Sequence, residues 1–389
     1  MNFRLTPEQE RLRREVCDFL AQELGTGHDS DPAPVPPGYM PARNFERKLG
    51  EKGWLALGWP VEYGGGGRPI IEQFIVEEEI GLHGGPAGDA LTRDIIAPML
   101  VAAANEDQKR RYLPRLARGE ATICLGYTEP ESGSDLASLQ TRAVREGDDY
   151  VINGRKVFTS GAADSEYCWL AARTETDNPK HAGISVFIVP MDSPGVEVRP
   201  LINLLDKGWF NEVVFENVRV PVSERVGAEN MGWQVLTSAL GVERITIYRP
   251  FLHWRALVGL ARWARQGANG RRPGDEVTMR QKLAQLRIEF EVARLFLARA
   301  IEMHSRGADY RAQAAAVKLF YTEWAQRLYE TGVEMMGLYG GLAEHSPRAP
   351  WQGAFSHGYL SAVQETIGGG TSEVQREIIA LRGLGLPRG

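Results

Sequence analysis

Hydrophobic periodicity changes twice along this chain, and that double change limits the folds open to it. The first stretch is helical. Thr6 and Gln9 form a capping-box pair with Pro7 at the first helical position, leading into a helix over 11–24. Helical spacing returns over 45–53, 70–82 and 95–105, and a Pro-, Gly- and Asp-rich loop spans 25–41. From about residue 121 short segments rich in Val, Ile, Phe and Tyr alternate with turns, at 143–144, 150–152, 167–172, 184–190, 196–200 and 213–215. Closely spaced strands of this kind predict an antiparallel barrel or sandwich. After Gly232 the helical period resumes over 233–266, 277–305, 312–339 and 371–381, with a break at 267–276. The chain therefore reads as three regions, 1–120 helical, 121–228 β and 229–389 helical, with no solenoid repeat.

Composition narrows the function. A chain of 389 residues exceeds what one core usually fills, which agrees with several layers or domains. With 43% hydrophobic and 24% charged residues it is ordinary for a globular protein, and no apolar run approaches the roughly 20 residues of a spanning helix. The opening MNFRLTPEQERLRREV lacks the plan of a secretory signal. Cys17, Cys124 and Cys168 are odd in number and lack metal-ligand spacing, which fits a reducing cytoplasm. A formal charge of −5 argues against a nucleic-acid partner.

The run GYTEPESGSD, 126–135, is built to approach a ligand closely. Its small and turn-forming residues expose backbone N–H groups, and Thr128 and Ser134 add hydroxyls. Upstream stands DQKRRYLPRLARGE, 107–120. Downstream come NGRKVFTSGA (153–162), FNEVVFENVRVP (210–221), GAENMGW (227–233) and TIGGGTSEVQREIIA (366–380). This series, in this order, resembles the FAD-dependent acyl-CoA dehydrogenases over nearly the whole chain. The resemblance implies an α+β fold with an N-terminal helical domain, a middle β-barrel or sandwich and a C-terminal four-helix bundle.

The same resemblance implies the site. Thr128 becomes the donor to flavin N5, with the Tyr127–Thr128 backbone on the pyrimidine edge, and Gly133 belongs to the same cofactor loop. Ser134 falls where the family contacts the pantetheine arm. Phe158 takes the place of an aromatic packed on the isoalloxazine, with Thr159 or Ser160 supplying a polar contact beside it. Thr371, Ser372 and Glu373 match positions that meet the FAD diphosphate and ribose. Such enzymes take acyl-CoA or an acyl carrier protein thioester, pass electrons to an electron-transfer flavoprotein and assemble as tetramers or dimers.

The base is the decisive question. Medium- and short-chain members carry a Glu directly before the last Gly-Thr-Ser, where this chain has Gly369. Glycine takes no proton, but its N–H can still donate to the thioester carbonyl. A second family position lies in the first helix after the β region, and here it holds Glu243, beside Arg244. Leu236, Leu240, Glu243 and Ile247 fall on one helix stripe, so Glu243 interrupts an apolar face. Desolvation there raises a carboxyl toward the range of a base working near neutrality, although pairing with a neighbouring Arg would make it structural. Glu365, four residues before Gly369, is the reserve candidate. Losing a side chain at 369 frees volume for a bulky or α-branched acyl group.

Two family motifs that hold the far end of FAD are not intact. In their regions stand RQGANGRRPGDEVTMRQKLAQL, 265–286, and GLYGG, 337–341; Arg280 and Gln281 are candidates to replace the first, or solvated helix residues. These departures resemble a bacterial subgroup that includes α2β2 assemblies acting on steroid side-chain thioesters. Two rivals to the dehydrogenase reading follow: a non-catalytic or half-catalytic subunit completing a partner's site, and a flavin oxidase or monooxygenase on the same fold.

Overall fold

The computed structural model describes residues 4–25, 43–86, 88–176, 179–205, 208–246, 250–267 and 270–387, with backbone alone for 238–244. The predicted loop at 25–41 lies, past Gly25, outside the described residues. Helix α1 (Pro7–Leu24) opens as predicted, with Gln9 N donating to Thr6 Oγ1 at 3.3 Å and Thr6 N to Gln9 Oε1 at 3.0 Å. Helices α2 (Arg43–Glu51) and α3 (Ile70–Leu82) follow. The helix expected over 95–105 is different. A π-helical turn, Leu91–Ile96, runs into a short α4 (Ala97–Ala103), because Asn105 opens a new helix, α5 (Glu106–Ala117), with its own capping box. The internal Pro114 hides α5 from a reading of periodicity.

Eight strands form the β region: β1 (Ile123–Gly126), β2 (Arg142–Glu146), β3 (Asp149–Ser160), β4 (Tyr167–Arg173), β5 (Ile184–Pro190), β6 (Val196–Leu201), β7 (Phe210–Pro221) and β8 (Arg225–Val226). Their order in the sheet is β6-β7-β3-β2-β4-β5-β8, with β1 paired to β4. The expectation of a purely antiparallel sheet needs correcting. β1 lies parallel to β4 with Cys124 opposite Cys168, and Arg142 of β2 meets Arg173 of β4 in parallel. The long connection from β1 to β4 allows this, since only tight hairpins force antiparallel pairing. Strands β3 and β7 are longer than predicted because bulges at Ile152/Gly154 and Lys156/Thr159 break the two-residue period. Tyr150, Ile152, Cys168, Leu170, Phe187, Val213 and Phe215 fill the core beneath.

The later helices are α6 (Gly232–Thr246), α7 (Trp254–Gln266), α8 (Val277–Ser305), α9 (Arg311–Met336), α10 (Ala354–Glu365) and α11 (Ser372–Ile378). The helix expected over 233–266 is interrupted by a 3-10 turn, Pro250–His253, as a proline after the helix end requires. Helix α10 escaped the sequence reading because Gly358 looks like a breaker. In the fold it permits contact: a Cβ there would come within 2.1 Å of Tyr329 on α9.

The described chain forms two compact units. One gathers α1, Pro69–Gly88 and Arg244–Gly389; the other holds α2 with the segment to Arg68, and Asp89–Glu243. The chain passes between them within α6. Among the described residues no helix is long and apolar enough to cross a membrane.

Candidate functional site

The loop after β1 is fastened by a buried ion pair. Glu129 and Lys156 are 6% and 0% exposed, and Glu129 Oε1 accepts from Lys156 Nζ at 2.7 Å. The same carboxylate accepts from Thr141 N at 2.9 Å and Gln140 N at 2.6 Å, while Lys156 Nζ also donates to Tyr127 O at 3.0 Å. Val157 N donates to Thr128 O at 2.9 Å, and Glu129 and Ser132 exchange N–H···O bonds of 3.1 Å. Burial by itself would raise the Glu129 carboxyl. The Lys156 charge and the convergent donors outweigh it and hold the group below its ordinary value. Burial pulls the Lys156 ammonium down, and Glu129 recovers only part of that. Gly126 must be glycine, since a Cβ would lie 2.7 Å from Cys168 Sγ. Tyr127 and Thr128 are thus held by their backbone from inside the sheet, while Gly133 and Ser134 stand exposed at the loop's tip.

Beside this loop β3 bulges. Phe158 adopts a left-handed φ of 55° and is 64% exposed, its ring edge-on to Phe210 with centroids 6.3 Å apart. A bulky residue in that conformation is strained, and such strain concentrates at ligand sites. Thr159 points inward at 1% exposure, with no partner for its hydroxyl among the described residues. Ser160, next along the strand, returns to the outward face and is half-buried.

The second element is the turn before α11. Gly369 and Gly370 both have left-handed φ, 65° and 93°. Gly368 N donates to Gln364 O at 2.9 Å and Ser372 N to Thr366 O at 3.0 Å, but the three N–H groups between, on Gly369, Gly370 and Thr371, donate to nothing among the described residues. Thr371 caps α11 through its hydroxyl, which accepts from Val374 N at 3.3 Å. Glu373 is exposed, its carboxyl lowered by its own backbone N–H and by Thr371. A run of unspent N–H groups is a receptor for a negatively charged or strongly polarised oxygen.

Models of three families cover this chain in sequence. "Acyl-CoA dehydrogenase, N-terminal domain" matches residues 6–120, "Acyl-CoA dehydrogenase, middle domain" 124–218 and "Acyl-CoA dehydrogenase, C-terminal domain" 230–384. Acyl-CoA dehydrogenase FadE26 of Mycobacterium tuberculosis is 38% identical over 400 residues, covering 100% of this chain and 99% of that protein. The chain belongs to the acyl-CoA dehydrogenase family. Among solved structures, the ChsE4-ChsE5 complex from Mycobacterium tuberculosis matches with a TM-score of 0.86 at 37% identity, covering 100% of each chain. The Tcur3481-Tcur3483 steroid ACAD matches with a TM-score of 0.87 at 34% identity, also covering 100% of each chain. This acyl-CoA dehydrogenase is a flavin-dependent oxidoreductase with the family's three-domain fold.

Its residues fit an FAD. The exposed, strained Phe158 supplies an aromatic face, Ser160 stands beside it, and no described atom lies within 4 Å of a Cβ built at Gly133. In the unit of Asp89–Glu243 the fold brings Tyr127, Thr128, Phe158, Thr159 and Ser160 together; in the unit of Arg244–Gly389 it brings Gly369, Thr371 and Glu373 onto one turn. Glu243 and Arg244 lie on α6, but their side chains fall outside the described residues. Glu365 Oε1 lies 3.4 Å from His253 Nε2, and His253 Nε2 and Glu365 Oε2 are both buried without a hydrogen-bond partner among the described residues. Arg280 and Gln281 are exposed near the start of α8, and Arg280 Nη1 donates to Gly274 O and Asp275 O at 3.1 and 3.0 Å.

Sequence reasoning passed over Glu129 and Lys156, although a lysine in an otherwise inward-facing strand row was a usable signal. It also passed over a grouping of potential metal ligands: Cys17, Glu79 and His83 offer atoms within 4.8 Å of one another. Arg13 already holds Glu79 at 2.6 Å, and burial with Glu79 pushes the Cys17 thiol up to about 12, so the trio is a hydrogen-bonded cluster.

Proposed function

We propose that this dehydrogenase takes a bulky or branched acyl-CoA to its trans-2-enoyl thioester, with Glu243 as the α-proton base. The observation that carries this reading is the run of unspent N–H groups at Gly369–Thr371, at a position where straight-chain family members hold their carboxylate. The Gly369 N–H donates to the thioester oxygen, which builds negative charge as the α-proton leaves. Glu243 takes that proton from a helix stripe that is otherwise apolar, where desolvation favours proton uptake. When bound, FAD accepts the β-hydride at N5.

Tyr127 and Thr128 hold the flavin's polar edge, Phe158 covers its ring and Gly133 lets the loop approach. Ser160 is favoured over Thr159 as the polar neighbour, because Thr159 faces the interior. Ser134 meets the pantetheine arm, Arg244 the substrate, and Thr371 and Glu373 the FAD diphosphate and ribose. Electrons leave to an electron-transfer flavoprotein. The steroid named for one solved relative, and the two chains named for both, support a polycyclic acyl group and a heteromeric assembly.

A second reading, a subunit that completes a partner's flavin site, draws on one observation. Arg280, the candidate for the FAD tail, directs Nη1 at carbonyls of its own chain. One experiment separates the two. The purified chain is mixed anaerobically with straight, branched and steroid acyl-CoAs while the flavin band is followed. Bleaching by the bulky thioesters, lost in Glu243→Gln, is expected. Bound flavin bleached equally in Glu243→Gln refutes the base, and absence of flavin makes the partner-subunit reading the better one.

A further inference from the structure

The Gly369–Gly370 turn rests on two buried side chains, one inside the 366–380 run and one far upstream on α9. Lys318, on α9, is 0% exposed among Ala314, Ala315, Tyr321 and Thr322, and its Nζ donates to Gly370 O at 2.8 Å. Gln375, on α11, is also 0% exposed, and its Nε2 donates to Gly369 O at 3.2 Å and Gly370 O at 3.0 Å. The amide's other end is left bare: Gln375 Oε1 is buried without a partner among the described residues.

Both arrangements are costly by themselves. Burying an ammonium demands compensation, and an unpaired amide oxygen forfeits its hydration. A methionine at 375 would fill similar space without the unpaired oxygen. What the two residues secure is direction. Two successive carbonyls are drawn inward, fixing the peptide planes on either side of Gly370 and so the N–H groups of Gly370 and Thr371 directly, while the Gly369 N–H, one peptide earlier, is held through the anchored Gly369 carbonyl carbon and Cα; all three N–H groups stay unspent among the described residues. The turn is closed to other solutions as well, since a Cβ at Gly370 would lie 2.7 Å from Gln375 Nε2.

We infer that Lys318 and Gln375 are positioning residues for the oxyanion site: by anchoring the Gly369 and Gly370 carbonyls they fix the turn from which the Gly369 N–H projects, and so the line on which it polarises a thioester carbonyl. Neither touches substrate. They act through the backbone, in the way that preorganised donors lower a barrier without rearranging during the reaction. The inference rests on the assignment of the Gly369 N–H to the thioester oxygen.

The test reads the carbonyl itself. FAD-loaded protein is saturated with trans-cinnamoyl-CoA carrying 13C at C1, a conjugated thioester with no saturated α,β bond left to oxidise, and its C=O stretch is recorded by isotope-edited difference infrared spectroscopy. The parent protein is expected to shift the band to lower frequency. Lys318→Met and Gln375→Met are expected to lose at least half of that shift. With the best substrate of the bleaching panel, kcat is expected to fall roughly 10- to 100-fold at nearly constant KM, the signature of an interaction made in the transition state. Gln375→Met carries the decision if Lys318→Met does not fold. A full shift in folded, FAD-loaded variants overturns the positioning role and leaves the Gly369 assignment standing. No shift in the parent protein overturns both.

Discussion

Replacing Lys156 with methionine asks the loop after β1 to survive without its internal cation. Methionine keeps most of the volume, so the main loss is the 2.7 Å contact with Glu129 and the 3.0 Å bond to Tyr127 O. Glu129 would then be a buried anion with two backbone donors, Gln140 N and Thr141 N. Removing one partner of a buried pair typically costs ~3–5 kcal/mol. The carboxyl has an escape, which is to bind a proton. From an unfolded value near 4.3, protonation costs about 3.7 kcal/mol at pH 7 and about 1 kcal/mol at pH 5.

That escape sets a ceiling on the charge penalty, and the ceiling falls as pH falls. In the parent protein the Glu129 carboxyl is depressed, so its contribution is present above the unfolded value and is lost as pH drops through the folded one. In Lys156→Met the carboxyl is raised instead, so the variant gains stability relative to the parent as pH falls from 7 to 5. Guanidinium denaturation midpoints of parent and variant at both pH values measure this. Expected is a deficit of roughly 3 kcal/mol at pH 7 that shrinks to roughly 1 kcal/mol at pH 5. A deficit equal at the two pH values would refute the reasoning, because the cost would then lie in packing or in the Tyr127 bond.

Three further outcomes follow from the geometry. Phe158→Gly removes a left-handed strain of ~1–2 kcal/mol, so the apoprotein should melt no lower, while FAD affinity falls at least roughly tenfold by fluorescence titration; unchanged affinity would contradict the flavin-covering role. Gly369→Glu places a side chain at φ 65° and should destabilise by ~1–2 kcal/mol. Combined with Glu243→Gln it should move the kcat/KM preference toward straight-chain thioesters, and an unmoved preference counts against the freed-volume argument. Glu365→Gln should keep most of its flavin bleaching while lowering the melting temperature, since the carboxylate lies 3.4 Å from the buried His253; loss of bleaching with unchanged stability would make Glu365 the base.

Much of the candidate site was open to proposal from sequence because its chemistry is local. Gly126 to Asp135 and Thr366 to Ala380 are contiguous runs, and the residues proposed to approach a ligand sit within them or one strand away. Their supports are not local. Lys156 reaches the loop from 27 residues downstream of Glu129, and Lys318 reaches Gly370 from 52 residues upstream. Neither has neighbours that announce it. The choice between Thr159 and Ser160 was likewise closed to a reading of composition, because a single extra residue in the β3 bulge decides which of them faces inward.

The sequence by itself determined the order of helices, strands and helices, the family, and the absence of a carboxylate at 369, since these depend on residue type and near-neighbour period. Tertiary structure alone decided that β1 lies parallel to β4, that α3 packs in a different unit from α2 and α5, and that Phe158 turns outward under strain. It also decided that three successive N–H groups near the C-terminus find no acceptor among the described residues. Each is set by contacts between residues far apart in the chain, where burial and hydrogen-bond satisfaction outweigh local preference.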